Sequence, residues 1–272
     1  MNAWGRWAAR AAVAALVLAI AFPLYWALVS SLVPEARLYE GVGLVPKRLG
    51  LAHYRALFSE RDFLTPIRNS LVVAASTTFF CVTLGSLCAY AIARLQFRGR
   101  EALAALILAV SMFPQIAIVS PLYLLLRTVG LINTYPGLVL PYFTFAMPLT
   151  VYLLVGYFRQ LPRDLESAAM VDGAGRLRTL WHIVLPLAMP GVATTAILTF
   201  VYCWNEFLFA LSFTTGPERQ TVPVAVALFR GQHQIPWGQI LAATVLSTLP
   251  VVALVLAFQR RIVSGLTAGS IR

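Results

Sequence analysis

The stretch that decides the fold reads Asn69-Ser-Leu-Val-Val-Ala-Ala-Ser-Thr-Thr-Phe-Phe-Cys-Val-Thr-Leu-Gly-Ser-Leu-Cys-Ala-Tyr-Ala-Ile-Ala-Arg94. It carries no charged residue before its last position, and Arg68 stands immediately in front of it. A transmembrane helix needs about 20 mainly apolar residues, so this stretch is long enough to cross a bilayer. Five further stretches of similar composition lie along the chain. The sequence therefore predicts an all-α, polytopic membrane protein with six transmembrane helices, at about residues 11–31, 69–93, 102–126, 138–158, 186–211 and 238–259.

The composition supports a lipid environment. Of the 272 residues 60% are apolar and 11% are charged, whereas soluble domains carry about 25% charged residues. The net charge of +11 comes from basic residues that stand singly or in pairs between apolar runs. They form no basic stripe and no nucleic-acid motif. We therefore expect membrane lipid, and no nucleic acid, among the partners.

The arginines predict the orientation in the membrane. Short cytoplasmic loops of membrane proteins collect Lys and Arg, and here the arginine-rich segments alternate consistently onto one side. This places both termini in the cytoplasm of a multi-pass membrane protein, with residues 1–272 as one transmembrane domain. The arginines are Arg6 and Arg10 at the amino terminus, Arg94, Arg98 and Arg100 after the second helix, Arg159, Arg163, Arg176 and Arg178 after the fourth, and Arg260, Arg261 and Arg272 at the carboxy terminus.

Two further local features are predicted outside the simple pattern of spans. Prolines at positions 114, 121 and 148 lie inside predicted spans, and Pro186 and Pro190 begin the fifth span. Proline removes a backbone donor and can kink a helix. In the outer segment between the first two spans, residues 51–58 have the spacing of a short amphipathic helix. Its apolar face would comprise Leu51, Tyr54, Leu57 and Phe58.

The informative cytoplasmic segment lies between the fourth and fifth spans and begins Leu161-Pro-Arg-Asp-Leu-Glu-Ser-Ala-Ala-Met-Val-Asp-Gly-Ala174. Asp164 is suited to the N-cap of a short helix, and Gly173 or Gly175 can end it in a left-handed conformation. Ser167, Met170, Val171 and Ala174 fall on one side of such a helix. An isolated short helix is marginal in water, so this small, apolar face predicts a protein partner.

This segment resembles the EAA loop of ATP-binding-cassette importer permeases. Ala168-Ala-Met-Val-Asp-Gly-Ala174 fits the family pattern, with Pro186 twelve residues later. The resemblance implies a coupling helix that docks into the ATPase subunit. One departure is that the glutamate of the family's name falls at Ser167, with Glu166 one residue earlier; either Glu166 substitutes for it or the contact is weaker. The implied coupling residues are Glu166, Ser167, Ala168, Ala169, Met170, Asp172, Gly173 and Ala174.

Other stretches are similar to the carbohydrate branch of these permeases, and to the shorter permease of maltose- and trehalose-type importers. They are Asn69-Ser-Leu71, Ala89-Tyr-Ala-Ile-Ala-Arg94, Trp204-Asn-Glu-Phe207 and Gln259-Arg-Arg-Ile-Val-Ser-Gly-Leu-Thr-Ala-Gly269. The resemblance implies three partners: a cytoplasmic ATPase dimer, a second homologous permease and an extracytoplasmic solute-binding protein. It also implies a sugar substrate, and we expect an α-glucoside such as trehalose or maltose.

The chain itself is predicted to be neither an ATPase nor another enzyme. A P-loop needs G-x-x-x-x-G-K-[ST], and the single lysine, Lys47, stands between Pro46 and Arg48. We therefore expect no catalytic residue, metal or cofactor in this chain, and ATP is expected to be used by the partner subunit.

Glu206 is the acidic residue inside a predicted span, and intramembrane charge is often functional. With Trp204 and Asn205 it could line the sugar path or an outer gate. The alternative is a structural hydrogen bond near the outer end of the fifth span. A gradient-driven secondary transporter is the competing function, but it should carry several intramembrane acids. The sequence therefore favours the permease of an ATP-driven importer.

Overall fold

The computed structural model describes residues 3–39, 43, 46, 49–229 and 235–268, with side chains described as far as residue 259. The described residues form helices and no strand, which confirms the predicted all-α class. The α-helices are α1 Ala3–Leu32, α2 Glu35–Leu38, α3 Ala52–Ser59, α4 Leu64–Arg94, α5 Arg100–Ser111, α6 Gln115–Thr128, α7 Tyr135–Gln160, α8 Asp164–Val171, α9 Arg176–Thr179, α10 Leu185–Leu187, α11 Met189–Trp204, α12 Leu208–Phe213, α13 Val222–Ala227 and α14 Trp237–Ala268. A π-helix occupies Leu180–Val184, and a 3₁₀ turn occupies Pro217–Arg219.

Four of these helices are long and apolar enough to cross a membrane: α1, α4, α7 and α14. The number rises to six if each of two bent pairs is one span. The first pair is α5 with α6, bent by 90°, and the second joins 176–187 to α11 at 83°. The predicted spans at 11–31, 69–93, 138–158 and 238–259 fall inside single helices, and those at 102–126 and 186–211 fall on broken ones. Six spans and cytoplasmic termini stay predictions.

Two of the five prolines stand at the bent breaks. Pro114 is the N-cap of α6 and stands at the break after α5, and Pro190 stands in the first turn of α11, directly after the second break. Pro121 lies inside α6 and Pro148 lies inside α7, so neither of them ends a helix. Proline costs one backbone hydrogen bond, and a packed membrane helix can tolerate that loss.

The chain divides into two compact units, of which the first comprises Met1–Leu64 and Ala225–Pro250. Within it, a buried His53 side chain joins three segments. Its Nε2 lies 2.8 Å from the Val33 carbonyl oxygen, and its Nδ1 lies 3.7 Å from Glu35 Oε2. The same carboxylate oxygen accepts the Gly238 amide hydrogen bond at 3.0 Å. Helix α3 is the predicted short helix. Of its predicted apolar face, Leu57 is buried, while Leu51 and Phe58 are exposed. The place of this face at the outer membrane interface stays a prediction.

The second unit comprises Thr65–Val224 and Val251–Arg272. Its apolar core is formed where α4, α7 and the segment from the π-helix to α11 meet. Phe158, Leu180 and Leu154 are fully buried there. Gly191 permits a close approach of α11 to α7, because a Cβ at this position would lie 2.3 Å from Cγ of Tyr157. This core fixes the loop between α7 and α11 to the end of α4.

Candidate functional site

The predicted coupling helix is present as α8, and its carboxy-terminal end is closed by a left-handed glycine. The helix begins at Asp164, with Arg163 in the N-cap position, so the predicted cap by Asp164 is wrong. Gly173 has φ +81°, as predicted for one of the two glycines. The Ala174 amide donates to the Ala169 carbonyl and the Gly173 amide donates to the Met170 carbonyl. These two bonds are the pair that defines a Schellman motif, which satisfies carbonyls at the helix end.

One face of α8 is exposed and apolar. Met170 is 52% exposed and Val171 is 88% exposed, and Leu165 before them is also exposed. Ser167, Ala168, Asp172 and Gly173 are exposed as well, and Ala174 is half-buried. Leu177, which sequence reasoning missed, extends the exposed apolar surface beyond the helix. Exposed apolar patches of this kind mark interaction sites.

The opposite face of α8 is turned into its own chain. Glu166 and Ala169 are both buried. The carboxylate oxygen Oε1 of Glu166 lies 2.6 Å from Nε of Arg94 at the end of α4, and the contact is ionic, because the two atoms form no aligned hydrogen bond. Oε2 accepts a hydrogen bond from the Tyr90 hydroxyl at 3.2 Å. Arg94 Nη2 also donates to the Leu161 carbonyl at 2.8 Å, so one guanidinium contacts both the C-cap residue of α7 and the first turn of α8.

The sequence left open whether Glu166 substitutes for the family glutamate whose position is occupied by Ser167. The Glu166–Arg94 contact bears on this question. Ser167 is exposed and donates a hydrogen bond to the Arg163 carbonyl within its own helix, at 3.3 Å. Glu166 is engaged by its own chain, so it does not present a carboxylate on the exposed face. Tyr90 and Arg94 belong to the stretch 89–94, which is similar to the carbohydrate permeases, but the sequence did not predict their pairing with α8. The coupling role of the eight predicted residues stays a prediction.

The second predicted group, Trp204, Asn205 and Glu206, lies at a break between α11 and α12. Glu206 is buried, and its carboxylate accepts the backbone N–H groups of Phe209 at 2.8 Å and Ala210 at 3.2 Å. It therefore satisfies amides of the first turn of α12, which would otherwise have no partner. The Tyr142 hydroxyl donates to the Glu206 carbonyl at 3.4 Å. These contacts are structural hydrogen bonds, which was the alternative to a role of Glu206 on the sugar path.

The two neighbours of Glu206 differ in their exposure. Trp204 is buried and stacks on Phe200, with ring centroids 5.8 Å apart. Asn205 is exposed, and its side chain donates to the Val201 carbonyl at 2.8 Å. No contact of the described residues tests a place for these three residues on a sugar path or gate, which stays a prediction.

A polar cluster connects the start of α4, the loop before α7 and the loop after α12. Asn69 donates to the carbonyls of Glu218 and Gln220 at 3.0 and 2.9 Å, and it accepts the Tyr135 hydroxyl at 2.7 Å. Asn133, with φ +60°, donates to Glu218 Oε1 at 2.6 Å. Hydrogen bonds to its own backbone amide and to Asn133 lower the pKa of Glu218. The sequence supplied Asn69 as a motif residue, but it did not predict that Asn69 and Asn133 converge on one cluster.

Comparisons with known proteins place this geometry in a family. Residues 81–267 match the family model described as binding-protein-dependent transport system inner membrane component. The trehalose/maltose transport system permease protein MalG of Thermococcus litoralis is 43% identical over 92% of this chain and 91% of that protein. The trehalose transport system permease protein SugB of Mycobacterium tuberculosis is 42% identical over 92% of each chain. The sulfoquinovosyl glycerol transport system permease protein SmoH of Agrobacterium fabrum is 41% identical, over 92% of this chain and 88% of that one.

Solved structures share the fold. A chain of a bacterial ABC transporter involved in the import of the acidic polysaccharide alginate aligns with a TM-score of 0.82 and 20% identity, over 96% of this chain and 98% of that chain. A chain of the MetNI methionine ABC transporter in inward-facing conformations aligns with a TM-score of 0.58 and 17% identity, over 76% of this chain and 99% of that one.

Proposed function

The chain belongs to the family of binding-protein-dependent transport system inner membrane components, among the permeases of sugar ABC importers, and we propose that it forms half of the translocation path for a di- or oligosaccharide. The substrate we propose is an α-glucoside such as trehalose or maltose, because two of the close relatives carry those sugars in their names. The chain itself catalyses no reaction and binds no cofactor in this proposal. ATP is hydrolysed by a separate pair of cytoplasmic subunits.

The observation that carries the proposal is the exposed apolar face of α8 on a helix whose other face is tied to α4. Val171 and Met170 are available to a partner, while Glu166 is held by Arg94. A movement of the partner ATPase against α8 is therefore transmitted to the end of α4 through an ion pair. It is also transmitted to α11 through the buried side chains of Leu180 and Val184. This connects closure of the ATPase dimer to motion of the spans.

The other partners follow from the family. A second homologous permease completes the path, and an extracytoplasmic solute-binding protein delivers the sugar. These partners would be identified by purifying the tagged chain from its native membrane in mild detergent and determining which proteins accompany it. An ATPase with a P-loop, a second permease and a binding protein are the expected companions. A chain that purifies alone under conditions that retain a known importer complex would contradict the proposal.

A substitution on the exposed face tests the docking of the ATPase directly. Val171→Lys places a charge on the apolar face, where Val171 is 88% exposed, and a cation near the end of a helix does not oppose the helix dipole. We expect the variant to lose the co-purifying ATPase while it keeps the second permease. Gln96→Lys is the matched control, because Gln96 is an exposed residue of another segment predicted to be cytoplasmic. Retention of the ATPase by Val171→Lys would contradict the assigned docking face.

A further inference from the structure

A cavity lies beside the break between α5 and α6. Its volume is about 280 Å³, and residues of α5, α6, α7 and α11 line it. Its polar side chains are Ser111, Gln115, Tyr152 and Tyr202, and the ring of Phe145 adds an apolar aromatic surface. None of the described residues that line it carries a charge. Ligand sites usually combine apolar and aromatic walls with a few convergent polar groups, which is the composition found here.

The break itself requires water or protein beside it. Helix α5 has 12 residues after the charged loop, and α6 has 14 residues and ends near Arg127, so the break lies near the middle of the predicted third span. Met112 at the break is 85% exposed. Non-helical backbone at membrane depth is tolerated where it lines an aqueous cavity or is buried in protein, and not where it faces lipid. The cavity therefore lies beside backbone that needs water or protein next to it.

A second cavity lies beside the first. Its volume is about 570 Å³, and Leu108 and Tyr152 line both cavities. The larger cavity extends along α5 and α7 to Glu101, Arg159 and Gln160. These residues lie at the helix ends that the arginine distribution predicts to be cytoplasmic. The two cavities therefore lie side by side between the middle of the third span and that end.

The side chains of the smaller cavity have hydrogen-bonding capacity for a polyhydroxylated solute. Gln115 Nε2 donates to the Tyr202 hydroxyl oxygen at 2.7 Å. That bond uses neither the carbonyl oxygen of Gln115 nor the hydroxyl proton of Tyr202, so one acceptor and one donor can serve a ligand. Tyr152 is 59% exposed, and its ring offers an apolar face with a polar tip.

From these observations we propose that the cavity at the α5–α6 break is a direct contact site for one ring of a neutral sugar. Tyr152 stacks on the apolar face of the ring, and Gln115 and Tyr202 bind its hydroxyl groups. This inference rests on the proposed function and adds that this permease itself contacts the sugar. The absence of charge among the lining residues selects a neutral sugar over a sugar phosphate or an acidic sugar, because an unpaired anion in such a site would lack a compensating charge.

The test uses the whole transporter in proteoliposomes, with its ATPase, second permease and binding protein, and radiolabelled trehalose and maltose as probes. Tyr152→Ala removes a ring that is 59% exposed, and we expect uptake to fall about tenfold, the size of one lost stacking contact. ATP hydrolysis stimulated by the loaded binding protein should stay within about twofold of the parent, and the preference between the two sugars should change. Tyr152→Phe keeps the ring and should retain most of the uptake.

The matched control is Phe79→Ala, which removes an aromatic side chain that is 64% exposed on α4 and lines neither cavity. It should transport both sugars as the parent does. If the parent transports sugar and Tyr152→Ala matches Phe79→Ala in rate and preference, the inference is overturned and the proposed function stands. If Tyr152→Ala loses the second permease, the cavity is a subunit interface, which also overturns it. An assembled parent that transports neither sugar would overturn the proposed substrate class and this inference together.

Discussion

Glu166 is an acidic side chain on the coupling helix whose charge is compensated within its own chain. The side chains of Glu166 and Arg94 are 10% and 5% exposed, so both are largely withdrawn from water. Breaking a buried ion pair by removing one partner costs about 3–5 kcal/mol, because the remaining charge is left uncompensated. The pair therefore helps to hold α8 in place, because the loss of either side chain would leave the other charge buried without a counter-charge.

The first prediction concerns this pair. Glu166→Gln keeps the shape of the side chain but leaves the Arg94 guanidinium without its counter-charge, so the melting temperature of the purified chain should fall by several degrees. Arg94→Met in the same chain removes the stranded charge and should restore part of the loss. Glu101→Gln is the control, because the Glu101 side chain is 85% exposed and its nearest guanidinium nitrogen is 3.9 Å away. Equal stability of Glu166→Gln and Glu101→Gln would show that the pair contributes nothing.

Glu218 gives a prediction of pH dependence. Its pKa is lowered in the folded chain, first by its own backbone amide and then by the Asn133 side chain. A carboxyl group with a depressed folded pKa stabilises the fold at pH values above its unfolded pKa of about 4.3, and this contribution disappears as the pH falls through the folded pKa. Amide hydrogen exchange at Thr215 and Gly216, which donate to Asn133, should accelerate relative to the helices in that acidic range. Glu218→Gln should remove this pH dependence; if the variant keeps it, another group is responsible.

At the scale of the element, the coupling helix depends on the left-handed backbone at its end. Gly173 has φ +81°, and nothing lies within 4 Å of a Cβ built there. A side chain at this position therefore has space, and the penalty it incurs comes from the backbone conformation, at about 1–2 kcal/mol for a residue with a Cβ. The effect of a substitution at position 173 should therefore depend on how well the new residue tolerates a positive φ, and not on its size alone.

The third prediction follows from that distinction. Gly173→Val should weaken retention of the ATPase and lower uptake, whereas Gly173→Asn should be better tolerated, because Asn visits the left-handed region more readily. Gly175→Val is a close control: it also has open space, but its φ of −70° and ψ of 160° suit a β-branched residue. If Gly173→Val and Gly175→Val behave alike, the Schellman end of α8 has no part in coupling.

At the element scale, the sequence predicted well the helices that a lipid environment requires. A chain in lipid must satisfy its backbone groups within each span, so long uncharged stretches such as 69–93 could be assigned to helices directly. The exposed side of α8 followed largely from its spacing: Ser167, Met170 and Val171 are exposed, and Ala174, the fourth residue of the predicted side, is half-buried. Breaks were harder, because Pro148 stands inside a continuous helix while Ala188 separates α10 from α11. Whether a proline breaks a span depends on how its neighbours pack.

Contacts between distant residues could not be predicted at all. Tyr90 and Glu166 are separated by 76 residues, and the chain has many arginines that could have paired with Glu166. The cavity beside Gln115 was missed for a similar reason, because its lining comes from four helices. The sequence offered a signal in the proline at position 114, which implied a break that has to face water or protein.

For the whole molecule, the fourth prediction concerns orientation in the membrane. In a chain whose Cys81, Cys88 and Cys203 are replaced by alanine, single cysteines at Arg98 and Arg163 should react with a membrane-impermeant maleimide after permeabilisation and not before. Both positions are exposed and lie in segments predicted to be cytoplasmic. Thr215→Cys, which is exposed on the opposite side of the predicted topology, should react in intact cells. Labelling of Arg98→Cys or Arg163→Cys in intact cells would contradict six spans with cytoplasmic termini.

The π-helix at Leu180–Val184 has a consequence for chain length. A π-turn holds about one residue more than an α-turn, and one residue of an α-helix corresponds to a rotation of about 100°. The loss of a single amino acid between Leu180 and Val184 would let the helix relax to ordinary winding without breaking it. The helices on either side would then keep nearly the same relative orientation, because an α-turn completes the same rotation with about one residue fewer than a π-turn. A one-codon deletion should therefore be easier to tolerate between Leu180 and Val184 than inside the continuous helix α7, where it would rotate one side by about 100° relative to the other.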